Sequence, residues 1–411
     1  MKEELLHFIW QSKMLLQQTL ITTSGEPISI VQLGAYNRNA GPDFFNAKIK
    51  IGNTLWVGNV EMHVLSSEWN RHKHETDKAY NNVILHVVFH HDREVKNEQQ
   101  QTLPVLELRS VIPTTLLSRY QQLQQYAHKH IACEKILIHP NTPTLNNWLQ
   151  RLLVERIEQK CDYIHQLLTE TNNHWEQCFY LITARYFGMK TNSQPFEQLA
   201  RLLPLSVLAK HKNNLNAVVA LVVGVAGLFS KMDAEIQQLE SLYTHLKTKY
   251  NLQQLDVGIW KFARTRPANF PTERVLQFAA LVYQSSHLFS KIVACNQYQQ
   301  LQQLYTITVK LNSKKITIGK SSIDLLLINS VLPFVFIYGK LQHKEEYMEK
   351  ALTWYEQLKP ENNSIIKQFS QLGFEIKSAA DAQAFIQLKN EYCTSLKCLH
   401  CAIGFQSLLH A

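Results

Sequence analysis

The hydrophobic and polar residues of several short segments in the first 112 residues follow the patterns of β-strands. DFFNAKIKIG (43–52) and TLWVGNVEMHVL (54–65) predict two half-buried strands, and Gly52-Asn53 predicts a tight turn between them. VILHVVFHH (83–91) is almost continuously apolar, as expected of a strand that is covered on both faces. The other predicted elements are an amphipathic N-terminal helix, a strand in 27–36, a short helix in 66–82 and a last strand in 103–112. The predicted order therefore begins helix, strand, strand, strand, helix, strand.

The alternation also assigns individual side chains to the two faces of these strands. In residues 43–52 it places the apolar series on the core face, namely Phe45, Ala47, Ile49 and Ile51. Gly58 stands beside Asn59 inside the next strand and predicts a bulge or a close backbone approach.

From about residue 113 the apolar residues recur at spacings of three and four, which is the helical period. We therefore expect an α+β domain over 1–112 and a mostly α-helical domain over 113–411, in which 305–319 predicts a short hairpin. The apolar run AVVALVVGVAGLF (217–229) is too short to span a bilayer, so we expect no membrane partner. Acidic residues at the N-terminus favour a folded helix over a secretion signal and thus a cytoplasmic location.

The net charge bears on the kind of partner, and the cysteine count bears on whether disulfides form. The net charge is +9, and its excess lies after residue 112, because residues 1–112 hold 11 basic and 12 acidic residues. This bias permits a polyanion such as nucleic acid, although basic proteins without such a partner are also common. The seven cysteines are an odd number, which predicts reduced thiols rather than a disulfide framework.

Asp43, Glu61 and His63 form the first candidate site. Side chains alternate along a strand, so Glu61 and His63 point to one face, and the partner strand that starts at Asp43 brings a second carboxylate beside them. Two carboxylates form an oxygen site suited to Mg²⁺ or Mn²⁺, and such a metal can activate water for phosphodiester cleavage. Asn39, in the loop before Asp43, is a further candidate for substrate contact.

Pro42-Asp43, followed after 18 positions by Glu61-x-His63, resembles the PD-(D/E)XK nuclease superfamily. The resemblance implies a restriction-endonuclease-like αβββαβ core, with Asp43 and Glu61 as metal ligands and His63 in the place of the usual lysine. This substitution is the main departure, because a neutral imidazole can orient water but lacks the permanent charge of lysine. Nearly the whole chain also resembles an uncharacterised bacterial family of unknown function, through NAGPDF, GNVEMH, W-x2-H-x-H and RPANFP.

His72 and His74 lie in the W-x2-H-x-H stretch, close to Asp77 in sequence. The favoured interpretation is that both are solvated loop residues, and that His86, in the apolar strand, is a core histidine bonded to the backbone. If His72 and His74 are functional, they contact substrate phosphate or act as general acid near His63. No third ligand is fixed by the spacing, so the sequence does not favour a separate zinc centre.

Three cysteines fall within nine residues near the C-terminus, at Cys393, Cys398 and Cys401. This spacing is typical of zinc or iron–sulphur ligation, and Cys133 would then close the site. Some nucleases of the resembled superfamily carry an iron–sulphur cluster built from one upstream and three C-terminal cysteines. The alternative is a set of buried, small apolar cysteines on a terminal helix.

The stretch WKFARTRPANFPTERV (260–275) gathers basic residues around a proline-bounded loop before a helix. Arginines beside a helix N-terminus can cradle phosphate, while arginines in such loops also tie helices together through backbone carbonyls. The candidates for substrate contact here are Arg264, Arg266, Asn269 and Arg274.

The function expected from these features is a Mg²⁺- or Mn²⁺-dependent phosphodiesterase that cleaves nucleic acid, with Asp43, Glu61 and His63 at its centre. The alternative is a non-catalytic nucleic-acid-binding or scaffold protein that retains a degenerate nuclease fold.

Overall fold

The computed structural model describes residues 2–37, 39–263 and 265–409. The chain forms two compact units, one made of Met1–Leu145 with Asn390–Ala411 and the other of Asn146–Lys389. A mixed sheet occupies the N-terminal part and the remainder is mostly helical, as the change of hydrophobic period predicts.

The described part of the first unit contains seven strands. They are β1 (Leu20–Ile21), β2 (Pro27–Gln32), β3 (Ala35–Tyr36), β4 (Phe44–Ile51), β5 (Thr54–Leu65), β6 (Val83–His90) and β7 (Val105–Glu107). They form one sheet in the order β1-β2-β4-β5-β6-β7, with β3 paired to β4. The β4–β5 pair is antiparallel, whereas β5–β6 and β6–β7 are parallel.

Four helices of the first unit are α1 (Glu3–Gln11), α2 (Glu68–Arg71), α3 (Thr114–Gln125) and α19 (Ala402–Leu409). The apolar side of α1 is buried and packs against β5. The segment that contains α2 crosses from β5 to the parallel strand β6. The centre of β5 is consequently enclosed by α1 and by this crossover, and Glu61 and His63 lie there.

The second unit is helical apart from one hairpin, β8 (Thr308–Leu311) and β9 (Lys314–Thr317), which the sequence predicts. Its helices are α4 (Thr142–Glu170, which begins in the first unit), α5 (Trp175–Phe187), α6 (Ser193–Leu202), α7 (Leu205–Ala209), α8 (Leu215–Val225), α9 (Ala234–Gln237), α10 (Glu240–Tyr250), α11 (Pro271–Gln284), α12 (Leu288–Ala294), α13 (Tyr298–Tyr305), α14 (Lys320–Leu326), α15 (Leu332–Leu341), α16 (Glu345–Gln357), α17 (Ser364–Gln371) and α18 (Ala379–Gln387). Within the described ranges, Lys320–Leu341 alone is a helical stretch long and apolar enough to cross a membrane. The core of a water-soluble domain also passes this test, and 72% of the most apolar window of this stretch is buried in the protein.

The Gly52-Asn53 turn joins β4 and β5 as predicted, but the assignment of Phe45 to the core face is wrong. The register shifts between Phe44 and Ala47, and Asn46 adopts a left-handed conformation with φ of 56°. This bulge reverses the alternation, so that Phe44 is buried and Phe45 is only half-buried.

The predicted close approach at Gly58 is confirmed. A Cβ atom on this residue would lie 2.4 Å from the Ile84 side chain and 2.6 Å from the Asn82 carbonyl oxygen. The register between β5 and β6 also shifts just after it, between Asn59 and Val60. Because Gly58 has no side chain, β6 can begin directly against β5. The first residue of β6, Val83, pairs with Asn59, two residues before Glu61.

Candidate metal centre

Two carboxyl groups meet where β4 begins beside the middle of β5. The main-chain N–H of Asp43 donates to Glu61 Oε2 over 3.1 Å, and the N–H of Met62 donates to Asp43 Oδ2 over 2.9 Å. This reciprocal pair of hydrogen bonds fixes the carboxyl groups side by side, as the predicted hairpin requires. The Glu61 side chain is 7% exposed and the Asp43 side chain 21%, so the pair opens to solvent on the Asp43 side.

The environment of Glu61 disfavours its charged form. Burial raises the pKa of Glu61 well above its usual range, and the neighbouring charge of Asp43 raises it further. The main-chain N–H of Asp43 opposes this effect without cancelling it. A buried carboxyl group beside a second carboxylate is an environment that a divalent cation would relieve.

Three histidines converge on the inner side of this carboxylate pair. His63 Nε2 lies 3.6 Å and His74 Nε2 3.4 Å from the same Glu61 oxygen, Oε1. His72 Nδ1 lies 3.2 Å from His63 Nε2. One nitrogen atom from each of the three rings falls within 4.8 Å of the other two. His63 and Glu61 thus share a face, as the alternation predicts, while the sequence did not predict that His72 and His74 join them.

The crossover between β5 and β6 explains why His72 and His74 converge. His72 ends α2, Lys73 adopts a left-handed conformation with φ of 63°, and His74 starts a tight turn. The chain therefore reverses between the two histidines. Trp69 and Tyr80 hold the result in place: the His74 ring stacks on Tyr80 with centroids 3.7 Å apart and meets Trp69 edge to face. His74 is buried and His72 is exposed, so the favoured view of both as solvated loop residues fits His72 alone.

His86 orients the central histidine of this group. It is fully buried on β6, as predicted, but its Nε2 lies 2.9 Å from His63 Nδ1, so its partner is a side chain rather than the expected backbone. When His63 carries its proton on Nδ1 and donates it to His86, the Nε2 lone pair of His63 faces Glu61, His72 and His74. An outer partner of this kind is usual for metal-binding histidines.

The four imidazoles are kept neutral. Burial lowers the pKa of His63 to about 2 and that of His86 to about 3, and the neighbouring rings add to both shifts. Burial also lowers the pKa values of His72 and His74. Neutral imidazole is the form that ligates metal. The histidines of the cluster therefore offer nitrogen lone pairs to a ligand and do not carry positive charge.

His7 lies beside the carboxylate pair, and sequence reasoning missed it altogether. It lies on α1, and its Nε2 is 3.2 Å from Asp43 Oδ2. Burial lowers the pKa of His7, but the hydrogen bond and charge of Asp43 outweigh this and raise it above the usual value. The only available signal was the position of His7 among the apolar residues of an amphipathic helix, on the rim of its buried side.

The remaining predicted contacts lie elsewhere. Asn39 is exposed, and its backbone bonds to the Asn37 side chain. In the second unit, Arg266 is exposed, whereas the buried Arg274 donates to oxygens of Asn269, Gln277 and Ser322. Arg274 thus ties the loop to neighbouring helices, as in the packing alternative, but through side-chain oxygens rather than the expected backbone carbonyls. Arg264 lies outside the described residues.

The cysteines near the C-terminus belong to the same unit as Cys133. Burial raises the pKa of the Cys133 thiol to about 12, and the nearby thiols of Cys401 and Cys398 raise it further. Cys133 and Cys401 are buried, and Cys393 and Cys398 are half-buried. All seven cysteines are described and none forms a disulfide. The thiols of Cys401 and Cys398 therefore act electrostatically on Cys133, but within the described ranges these cysteines do not form a group of three or more ligand atoms within 4.8 Å of one another.

The fold and site define a class: an α+β protein with a helical second unit and a buried carboxylate–histidine cluster on its sheet. Residues 3–364 match the family described as "Protein of unknown function (DUF2851)", and the chain belongs to this family. Searches of curated proteins and of solved structures give no match.

Proposed function

We propose that this protein is a metal-dependent phosphodiesterase that acts on nucleic acid. The observation that supports the proposal is the pair of Asp43 and Glu61 carboxyl groups, which backbone donors hold side by side at a flank open to solvent. Mg²⁺ and Mn²⁺ prefer such oxygen ligands and take further oxygens from water and substrate phosphate. The carboxylates of Asp43 and Glu61 would hold the cation.

The order of elements also supports a nuclease-like core. Helix α1, strands β2, β4 and β5, the α2 crossover and strand β6 follow one another in the αβββαβ order implied by the resemblance, apart from the short strands β1 and β3. The first three of these strands pair antiparallel and the last pairs parallel to β5. The basic excess of the chain, which lies after residue 112, permits an anionic substrate.

Each residue has a definable task in such a reaction. When bound, a divalent cation lowers the pKa of a water molecule and neutralises charge on the phosphate. Glu61 is fixed by the Asp43 N–H, and Asp43 presents its half-exposed carboxylate toward arriving substrate. His63 stands where the resembled nucleases carry lysine, and its neutral ring can accept a hydrogen bond from water but supplies no positive charge.

The test is a cleavage assay on single- and double-stranded DNA and RNA with Mg²⁺ or Mn²⁺. We expect Asp43→Ala and Glu61→Ala each to lower the rate by about 10³-fold or more, since a bound metal contributes several kcal/mol to such reactions. The exposed Glu94→Ala in the same unit is the matched control and should cleave like wild type.

Two results would contradict the proposal. Equal activity in Asp43→Ala, Glu61→Ala and wild type would assign the cleavage to another site or a contaminant. Nucleic-acid binding without cleavage by the wild type, with either metal, would instead indicate the non-catalytic alternative.

A further inference from the structure

His63, two positions after Glu61, lacks the permanent positive charge that lysine carries at this place in the resembled nucleases. Lysine at this place supplies a permanent positive charge beside the reacting phosphate, and His63 does not, because an imidazole lacks the permanent charge of an ammonium group and the His63 ring is buried. No lysine or arginine side chain forms an ion pair with Glu61 or Asp43 among the described residues. His7, which lies 3.2 Å from Asp43 Oδ2 and has a raised pKa, is a basic group beside this pair, but it titrates and so does not supply the permanent charge of lysine.

The histidine cluster has the dimensions of a metal site. Four ligands placed tetrahedrally at about 2.0–2.1 Å from zinc lie roughly 3.3 Å from one another. The cluster shows 3.2 Å between His63 Nε2 and His72 Nδ1, 3.4 Å between His74 Nε2 and Glu61 Oε1, and 3.6 Å between His63 Nε2 and that same oxygen. These three distances are close to that value, and one nitrogen atom from each of the three rings lies within 4.8 Å of the other two.

The surroundings pre-organise the cluster for a ligand other than Mg²⁺. His63 is oriented by His86, and His74 is held between Tyr80 and Trp69, so two of the three rings are already fixed. His72 is exposed and offers a path of entry. Imidazole nitrogens select Zn²⁺, Fe²⁺, Ni²⁺ or Cu²⁺ over the oxygen-seeking Mg²⁺.

We propose that His63, His72 and His74 bind a divalent transition ion of the Zn²⁺ class, beside the Asp43–Glu61 carboxylates, and that this ion supplies the charge which lysine supplies in the resembled nucleases. The binding site stands on its own geometry. Its role in place of lysine rests on the proposed function. The Glu61 carboxylate touches both groups of ligands, through Oε2 toward Asp43 and through Oε1 toward His63 and His74.

The binding experiment uses the full chain, stripped of metal with a chelator and titrated with Co²⁺ as a spectroscopic substitute for Zn²⁺. We expect one equivalent to give the intense visible bands of a four-coordinate site, and Zn²⁺ to displace it. His72→Ala should weaken Co²⁺ binding by more than the roughly 10–100-fold that loss of an outer partner costs. The exposed His128→Ala, in the same unit, should bind like wild type.

A second measurement guards against misfolding of the variant. Zn²⁺ should raise the unfolding temperature of the wild type and of His128→Ala but not that of His72→Ala, whose metal-free unfolding temperature should match the wild type because His72 is exposed. Equal Co²⁺ affinity in wild type and His72→Ala, or no Co²⁺ binding by the wild type, would overturn the site.

The role in place of lysine has its own readout. In Mg²⁺, added Zn²⁺ at one equivalent should raise the cleavage rate of the wild type at least tenfold and leave His72→Ala unchanged. A wild-type rate that is independent of Zn²⁺ overturns this role. If the wild type binds Co²⁺ at the histidines but cleaves nothing in Mg²⁺ and Zn²⁺ together, the proposed function fails while the site stands.

Discussion

Glu61 in the first unit and Glu197 in the second are both buried glutamates, and their surroundings are opposite. Glu197 accepts hydrogen bonds from Arg185, Arg201 and Tyr163. Burial alone would raise its pKa, but these donors outweigh burial and lower it. Glu61 instead faces a second carboxylate and neutral imidazoles, and its pKa is raised. Arginines therefore supply the counter-charge of Glu197, whereas no lysine or arginine forms an ion pair with Glu61 in the part of the chain that the structure describes.

The largest expected effect is on cleavage, which substitution of Glu61 should impair, whereas substitution of Glu197 should impair stability. Glu61→Gln should lower metal-dependent cleavage by about 10³-fold, and it should not lower the stability of the metal-free protein, because glutamine still accepts from the Asp43 N–H. Glu197→Gln should leave cleavage unchanged and cost about 2 kcal/mol of stability, a discounted value because both arginines reach solvent.

Cleavage rates and urea unfolding of both variants, each compared with wild type, measure this difference. The proposed difference between the two glutamates is wrong if the metal-free Glu61→Gln protein unfolds at as low a urea concentration as Glu197→Gln. In that event Glu61 would be a structural residue like its counterpart in the second unit.

The cysteines offer the same comparison with thiols. Cys178 and Cys161, in the second unit, pair with backbone carbonyls, with Cys178 Sγ 3.8 Å from the Ile164 oxygen and Cys161 Sγ 3.7 Å from that of Pro333. Cys133 has the thiols of Cys401 and Cys398 as neighbours instead. If these thiols hold zinc or an iron–sulphur cluster, Cys401→Ala should lose the metal and several kcal/mol of stability.

Metal analysis of freshly purified protein and its absorbance near 400 nm measure this outcome, with Cys178→Ala as the control for loss of a buried thiol. Metal-free, fully folded wild type would instead support the apolar packing role. Retention of the metal by Cys401→Ala would exclude Cys401 as a ligand.

The pH dependence of stability should have opposite signs at the two glutamates. The folded-state pKa of Glu61 lies above the unfolded value of 4.5, so the folded protein binds more protons and the contribution of Glu61 to stability falls as pH rises above 4.5. The folded-state pKa of Glu197 lies below 4.5, so its contribution is present above 4.5 and is lost as pH falls through the folded value.

Urea midpoints from pH 4 to 9 in a chelator, measured on wild type and the two glutamine variants, test these signs. Relative to wild type, Glu61→Gln should gain stability toward alkaline pH, while the deficit of Glu197→Gln should shrink toward acid pH. A Glu61→Gln protein whose stability tracks wild type at every pH would contradict the raised pKa.

Alternation was sufficient to predict the part of this site that lies on regular strands. It placed Glu61 and His63 on one face and Asp43 beside them, because strand periodicity and a two-residue turn fix those positions. It failed at Phe45, where the left-handed Asn46 introduces a bulge; asparagine tolerates this conformation, but its presence alone does not place a bulge. The alternation of residues along a strand therefore predicts which side chains share a site only where the strands pair in regular register.

The rest of the site depends on tertiary structure. His72 and His74 converge with His63 only because the chain reverses at Lys73 and because His74 stacks on Tyr80. His7 reaches Asp43 from another element, through the packing of α1 on β5. Contacts of this kind depend on how separate elements pack, and the spacing of residues along the sequence does not predict them.

The smallest expected effect concerns the loop after residue 260, where Arg266 and Arg274 repeat the contrast between the two glutamates. Arg274 is buried and engaged by oxygens of the protein, whereas Arg266 is exposed. If Arg266 contacts substrate phosphate, Arg266→Ala should weaken nucleic-acid binding only a few-fold and lower the slope of log affinity against log salt by about 1. The exposed Lys212→Ala, which removes the same charge from the same unit, is the control. Equal slopes for Arg266→Ala and Lys212→Ala would mean that Arg266 acts only through net charge, and the loop would then have no part in binding.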